Sequence, residues 1–410
     1  MKTLIINKSY LILGGIETFI FSLVQYAISQ NYRVIWLAGK PLKIFHGFKE
    51  ILDKIEICYT GRGVCGAKVI NRLKFSEEDS VTILSFTPFD HNRAIKIKQK
   101  HTNITITPIY ILPNTRGDLY YIEGYFSWPL SHYVKKKMSN IIGEWAEHGD
   151  IRYFTQLQRI ACEKNYGITF SDVDGYRVPS VNKVKNLDEG LLIKRGERER
   201  FNIISVSRLE FPHKQYILGL VDAYAQLKSK YRQLTLYIIG YGTGEKLLRR
   251  KIDVLPEAIR KDIFFLGAKT SAEIDEIMKD MHLNISTAGS VVCGARNGVV
   301  SLPARNFCGD ICEVYGYMPE SRDKATSTEP GMPVVPFIEE LINMSKEDYM
   351  LKCKTSYDTV TNQNVDPEYL FRQRSVQDVT YNNHHLFFAI MYVLKDCVKI
   401  FRIIKKKMKK

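Results

Sequence analysis

The chain has no CxxC pair and no zinc-like spacing among its eight cysteines, which are scattered through apolar stretches. That pattern argues against a disulfide framework or a zinc module and favours a reducing, cytosolic compartment. No short-period repeat is visible, and low complexity is confined to a lysine-rich end, so solenoids and disordered linkers are set aside. The opening MKTLIINKSYLILGG breaks its apolar run with Asn7, Lys8 and Ser9, making it a poor signal peptide and a good first strand. Acidic residues are missing altogether between Asp280 and Asp310.

What is present is ordinary globular material: 410 residues, 45% hydrophobic and 25% charged. That length exceeds what one core usually organises and points to two domains. The net charge of +15 is concentrated late, with Lys395, Lys399, Arg402, Lys405, Lys406, Lys407, Lys409 and Lys410 set against Asp396 alone. Aromatic residues are not interleaved with that cluster as stacking on bases would require, so no nucleic-acid partner is expected. The remaining chain is mildly basic, which suits a small anionic ligand.

An apolar strand at Thr3–Ile6, a loop with Gly14-Gly15, an amphipathic run ETFIFSLVQYAISQ and a second strand YRVIWLAG open a parallel α/β domain. The runs SVTILSF and NITITPIYI continue that rhythm. A charged stretch, NLDEGLLIKRGERER, marks the junction, and the rhythm restarts with NIISVS, LTLYIIG, DIFFLG and HLNIS separated by helical segments. The expected boundaries are 1–185 and 186–362 for the two Rossmann-like domains, 363–380 for a crossover back to the first, and 381–410 for a basic amphipathic tail.

Arg208 and Lys214 fall in the loop between NIISVS and the next helix, where two cations beside helix amides would neutralise a diphosphate. An ordinary surface loop accounts equally well for that pair taken alone. In their surroundings, though, Val206-Ser207-Arg208-Leu209, Lys214, the turn IIGYGTGEKLLRR with Gly240 and Gly242, and FFLGAKTSAEIDEIM resemble the donor-binding domain of family 4 retaining glycosyltransferases of the GT-B fold. Gly14-Gly15-Ile16-Glu17 resembles that family's loop facing the interdomain cleft near phosphates and acceptor. The resemblance spans most of the chain. It implies an α/β GT-B architecture of two Rossmann-like domains facing across a cleft, a nucleotide diphosphate-sugar donor, backbone contacts from Ala268 and Lys269 to the base, and no metal or other cofactor.

One departure stands out, since the family's two glutamates eight positions apart have no counterpart in STAGSVVCGARNGVVSLPARNFCGD. Counting from Ser286 puts Gly289 and Asn297 at those places, with Gly298 as a shifted alternative. The Gly289-Ser290 turn would bind phosphates through backbone amides and Asn297 a hydroxyl. Retention of configuration is implied by the resemblance alone, because glycine supplies no carboxylate to a developing oxocarbenium ion. Glu313, in a segment resembling the family's later GGxPE motif, is a candidate near the donor. His91, in SFTPFDHNR, is a candidate on the acceptor side, with a satisfied, partly buried histidine as its plainer reading. Asp172-Val173-Asp174 matches a metal-binding DxD only as any short acidic turn does.

Residues Leu386–Ile404 are long enough to span a bilayer, but Lys395, Asp396, Lys399 and Arg402 interrupt them, so a helix lying on an anionic membrane surface is expected, with a helix docked on the first domain as the plainer alternative that leaves the lysine cluster unexplained. The resulting expectation is a hexosyltransferase acting at the inner face of the cell membrane on a glycan or lipid-linked acceptor, as in bacterial capsule or O-antigen assembly. The alternative is a non-catalytic homologue that binds a sugar nucleotide or scaffolds an active transferase.

Overall fold

The computed structural model of the chain describes residues 1–8, 15–38, 49–60, 70–112, 130–170, 186–361, 367–371 and 379–394. The chain divides into two compact units, unit 1 comprising Met1–Val181 and Val365–Lys410 and unit 2 comprising Asn182–Asn364.

Unit 1 is built on a parallel sheet of β1 (Lys2–Asn7), β2 (Arg33–Ala38), β3 (Glu56–Tyr59), β4 (Ser80–Ser85), β5 (Thr105–Leu112) and β6 (Ile151–Tyr153), in the order β3-β2-β1-β4-β5-β6. Helices cover both faces. Leu4 and Ile6 pack with Ile20, Leu23 and Val24 of helix Gly15–Ser29, while Ile5 packs with Ile35, Ile83, and Ala94 and Ile97 of helix Pro88–Lys100. A strand buried on both faces has no reason to alternate polar and apolar residues, hence its unbroken LII run. The short strands β3 and β6 were not foreseen from the sequence.

A third cluster joins Tyr110, Leu112, Ile151 and Tyr153 to Met138, Ile142 and Trp145 of helix Leu130–Glu147 and to Phe388 and Met391 of helix 385–394. This corrects the expectation that everything from 381 onward is given to a membrane. Residues 381–394 dock on unit 1. The Tyr381 hydroxyl reaches both oxygens of Asp150 at 3.0 Å, His384 Nε2 lies 2.8 Å from Glu144 Oε2, and the Phe388 ring stacks 6.0 Å from Trp145. The return is also seen at Glu368–Phe371, where Glu368 accepts from Lys2 at 2.8 Å and Phe371 packs against Tyr32. Most of 363–380, and the lysine cluster after Leu394, lie outside the described residues.

Unit 2 carries β7 (Phe201–Val206), β8 (Leu234–Ile239), β9 (Ile263–Gly267), β10 (Leu283–Ser286) and β11 (Val300–Pro303) in the parallel order β11-β10-β7-β8-β9, with a small antiparallel ribbon of β12 (Glu313–Val314) and β13 (Met332–Pro333). The charged stretch taken for a junction forms helix Glu189–Glu197 of this unit. Its Arg195, only 2% exposed, donates to the carbonyls of Met278 at 2.7 Å and of Asn297 and Gly298 at 2.8 Å. The six described cysteines are free thiols. No helix among the described residues is long and apolar enough to cross a membrane.

Candidate functional site

Each main sheet reverses its strand order once, between β1 and β4 in unit 1 and between β7 and β10 in unit 2. At such a point the loops leaving the carboxyl ends of the strands diverge and leave a crevice. In unit 2 the two flanking loops carry Arg208–Gln215 after β7 and Thr287–Gly289 after β10.

Lys214 is the centre of this site. Its Nζ donates to Thr287 Oγ1 at 2.5 Å and to Asn306 Oδ1 at 2.6 Å, so one ammonium links the loops after β7, β10 and β11. Burial pushes its pKa from 10.5 down to about 7, the Arg208 charge pushes the same way, and Glu210 opposes both. Arg208 therefore lies close enough to be felt, and its own guanidinium is paired with Glu210 at 2.9 Å. Two basic side chains are thus gathered here against the cost of desolvation and mutual repulsion, an arrangement typical of functional sites. Helix Gly289–Arg296 starts beside them, with no side-chain cap on its N-terminus. Its preceding residue, Ala288, has φ 52°, and a Cβ on Gly289 would meet nothing within 4 Å.

The glycine turn after β8 has a reason other than ligand approach. Gly240 and Gly242 adopt φ 157° and 149°, and a Cβ on either would fall 1.9 Å from Ser207 O or 2.5 Å from Leu209 O. They let the turn pack directly on the Arg208 loop, where Leu209 N–H donates to Tyr241 O and Gly244 N–H to Leu209 O, both at 2.8 Å. The Gly240 N–H donates to Gly267 O at 2.9 Å, which brings the Ala268–Lys269 turn alongside; Lys269 pairs with Glu273 at 3.1 Å. Arg208, Lys214, Gly240, Gly242, Ala268, Lys269, Gly289 and Ser290 thus share one edge of one sheet.

No protein-family model and no curated protein sequence matches the chain. Solved structures do. HepE of Anabaena, in complex with UDP and glucose, is 15% identical, with 90% of this chain and 97% of that one covered and a TM-score of 0.54. A glycosyltransferase from Rickettsia africae is 14% identical over 90% and 96%, TM-score 0.56, and the lipopolysaccharide outer core galactosyltransferase WaaB is 16% identical over 90% and 99%, TM-score 0.52. The chain has the GT-B fold. At these identities the likeness is one of architecture, two Rossmann-like units with parallel sheets.

Two expected site residues, Asn297 and His91, lie elsewhere, and Glu313 is committed to a pair of its own. Asn297 follows the last turn of helix Gly289–Arg296, about 12 Å along its axis from Gly289 at 1.5 Å per residue. Its amide is committed to Asp275 Oδ1 at 3.0 Å and Cys293 O at 2.9 Å, at the edge from which β11 sets out. The alternative, Gly298, is at the same far end. Glu313 sits in the β12 ribbon, where Arg305 at 2.7 Å and the Gly331 N–H at 3.1 Å hold its carboxylate below its usual pKa. His91 is fully buried in unit 1, with Nε2 2.9 Å from Asp150 and its ring 4.5 Å from Trp145, so it offers no surface to a substrate.

At the switch point of unit 1, Gly14 and most of its loop lie outside the described residues, as does Asp172-Val173-Asp174. Gly15 is the first residue of its helix, and Glu17, 5% exposed, pairs with Lys8 at 2.9 Å. A polar cavity of about 790 Å³ elsewhere in unit 1 is lined by Lys137, Glu144, His148 and Asn382. Its Glu144 is taken up by Asn382 and His384, so it anchors the terminal segment. Sequence reasoning missed Thr287 and Asn306; their signal was position, one just past a strand and the other in the loop where the next strand ends.

Proposed function

We propose that this protein is a glycosyltransferase that takes a hexose-type sugar from a nucleotide diphosphate donor. The observation that carries the reading is the Lys214 ammonium, held by Thr287 and Asn306 beside Arg208 at the switch point of unit 2. In this reading the two cations and the amides of helix Gly289–Arg296 bind the diphosphate and stabilise it as it leaves. Side chains and helix amides supply the counter-charge, without a metal or other cofactor. HepE was solved with UDP and glucose, which supports a sugar nucleotide as the donor class. The acceptor is a glycan or lipid-linked glycan of the bacterial surface, a reading supported by the architectural likeness to WaaB. The basic residues after Leu394, together with the exposed Leu386, Ile390 and Val393, support attachment to the inner face of an anionic membrane.

The second reading is a non-catalytic sugar-nucleotide binder, favoured by the carboxylates nearest the site. Glu210 is paired with Arg208 and Glu313 with Arg305, and helix Gly289–Arg296 brings no acid to its N-terminus. Donor hydrolysis and transfer with UDP-, GDP- and ADP-sugars, in wild type and in Arg208→Ala and Lys214→Ala, test both. Turnover lost in both variants is expected. Binding without turnover for every donor favours the second reading, and no binding at all rejects both.

A further inference from the structure

The loop after β11 holds an aromatic residue in a backbone conformation that side chains rarely adopt. Phe307 has φ 58°, remains 40% exposed, and stacks on His213 at 4.6 Å with the rings 26° apart. Residues 306–307 run against 213–214 in reverse order: the Asn306 side chain accepts from Lys214, and the Phe307 N–H donates to His213 O at 3.0 Å. The ring is thus fixed one residue away from the centre of the proposed diphosphate site. Positive φ at a non-glycine residue costs backbone free energy, and such strain concentrates where a side chain must be aimed.

A diphosphate held between β7 and β10 leaves two directions along the sheet edge. Toward β8 and β9 the turn through Gly240 and Gly242 packs backbone to backbone on the Arg208 loop, and the Gly240 N–H donates to Gly267 O, with no aromatic side chain in positive-φ backbone among the described residues there. Toward β10 and β11 lie the Ser290 hydroxyl and the Phe307 ring, with the buried Thr287 and Asn306 holding Lys214. A pyranose has hydroxyls around its rim and C–H groups on its faces, so it is recognised by polar groups beside an aromatic plane, whose negative face attracts those C–H groups. We infer that Phe307, backed by His213, is the platform on which the sugar of the donor lies and is a specificity-determining residue of this site. The inference rests on the donor reading above.

The test is calorimetry on the full chain with UDP, GDP and ADP and with their glucose- and galactose-linked forms. Phe307→Ala is expected to weaken the sugar-linked nucleotides by roughly three- to tenfold, to change the bare diphosphates by less than about twofold, and to be rescued by Phe307→Tyr. Phe307→Gly, which accepts the backbone conformation without strain, controls for folding: it should melt no lower than Phe307→Ala and show the same selective loss. Equal losses with and without the sugar, or no loss at all, overturn the platform while leaving the donor reading intact. A wild type that binds none of these compounds overturns both.

Discussion

Lys214 illustrates how much one side chain's surroundings decide. A lysine in water is charged at any physiological pH, but here burial and Arg208 bring its pKa down to about 7. A bound diphosphate reverses that, because an adjacent anion favours the ammonium and raises its pKa. Under the proposed donor reading, affinity for a sugar nucleotide, whose diphosphate charge is constant over this range, should be greatest below pH 7. Above it, affinity should weaken by up to about tenfold per pH unit. Binding at pH 8 should take up close to one proton, seen as a calorimetric enthalpy that varies with the buffer's ionisation heat. Lys214→Met should flatten the profile, whereas an unchanged wild-type Kd from pH 6.5 to 9 would refute this account. Stability runs the opposite way: between about 7 and the ordinary 10.5 the unfolded chain holds the extra proton, so stability rises with pH across that window.

At the scale of elements, two glycines that look alike in the sequence differ in kind. Gly240→Ala forces a Cβ against Ser207 O in a left-handed-side backbone and should destabilise unit 2 by about 2–4 kcal/mol in chemical denaturation. Gly289→Ala meets empty space in the first turn of a helix and should change stability by no more than about 1 kcal/mol, in the favourable direction. Comparable losses for both would contradict this division. The βα rhythm of both units was legible because strands buried on two faces are unbroken apolar runs. β11, only four residues long, was not. The eight positions from Gly289 to Asn297 start at the expected helix N-terminus but run the full length of that helix, which carries Asn297 to the opposite end. His91 and Glu313 were visible as residue types, whereas their partners Asp150 and Arg305 belong to other elements, and no local pattern announces them. Glycines 240 and 242 form the turn after β8, and the close approach they permit is to the neighbouring loop.

At the scale of the whole molecule, the last part of the chain has two apolar sides and a basic sequel. Helix 385–394 turns Phe388 and Met391 into the core of unit 1, where they are 1% and 4% exposed, and leaves Leu386, Ile390 and Val393 at 74%, 50% and 61%. Periodicity alone cannot say which stripe docks, so the sequence left a membrane face and a docked helix as the two readings of the segment. Docking and the proposed membrane attachment separate by truncation. Removing 395–410 takes away the eight cations and leaves every described contact of the docked helix in place. Its thermal transition should be unchanged, and its sedimentation with phosphatidylserine-containing vesicles should fall steeply, the residual binding weakening further with salt. Leu386→Ser, Ile390→Ser and Val393→Ser combined should have the same selective effect under the proposed membrane attachment, since each is exposed and would insert rather than pack. Ending the chain at Thr380 instead removes Tyr381, Phe388 and Met391 together and strips Asp150 of its tyrosine partner. That cut should destabilise unit 1 by at least about 3 kcal/mol. Vesicle binding that survives the shorter truncation and the triple serine variant would detach the terminal segment from any membrane role and leave it as part of the fold of unit 1.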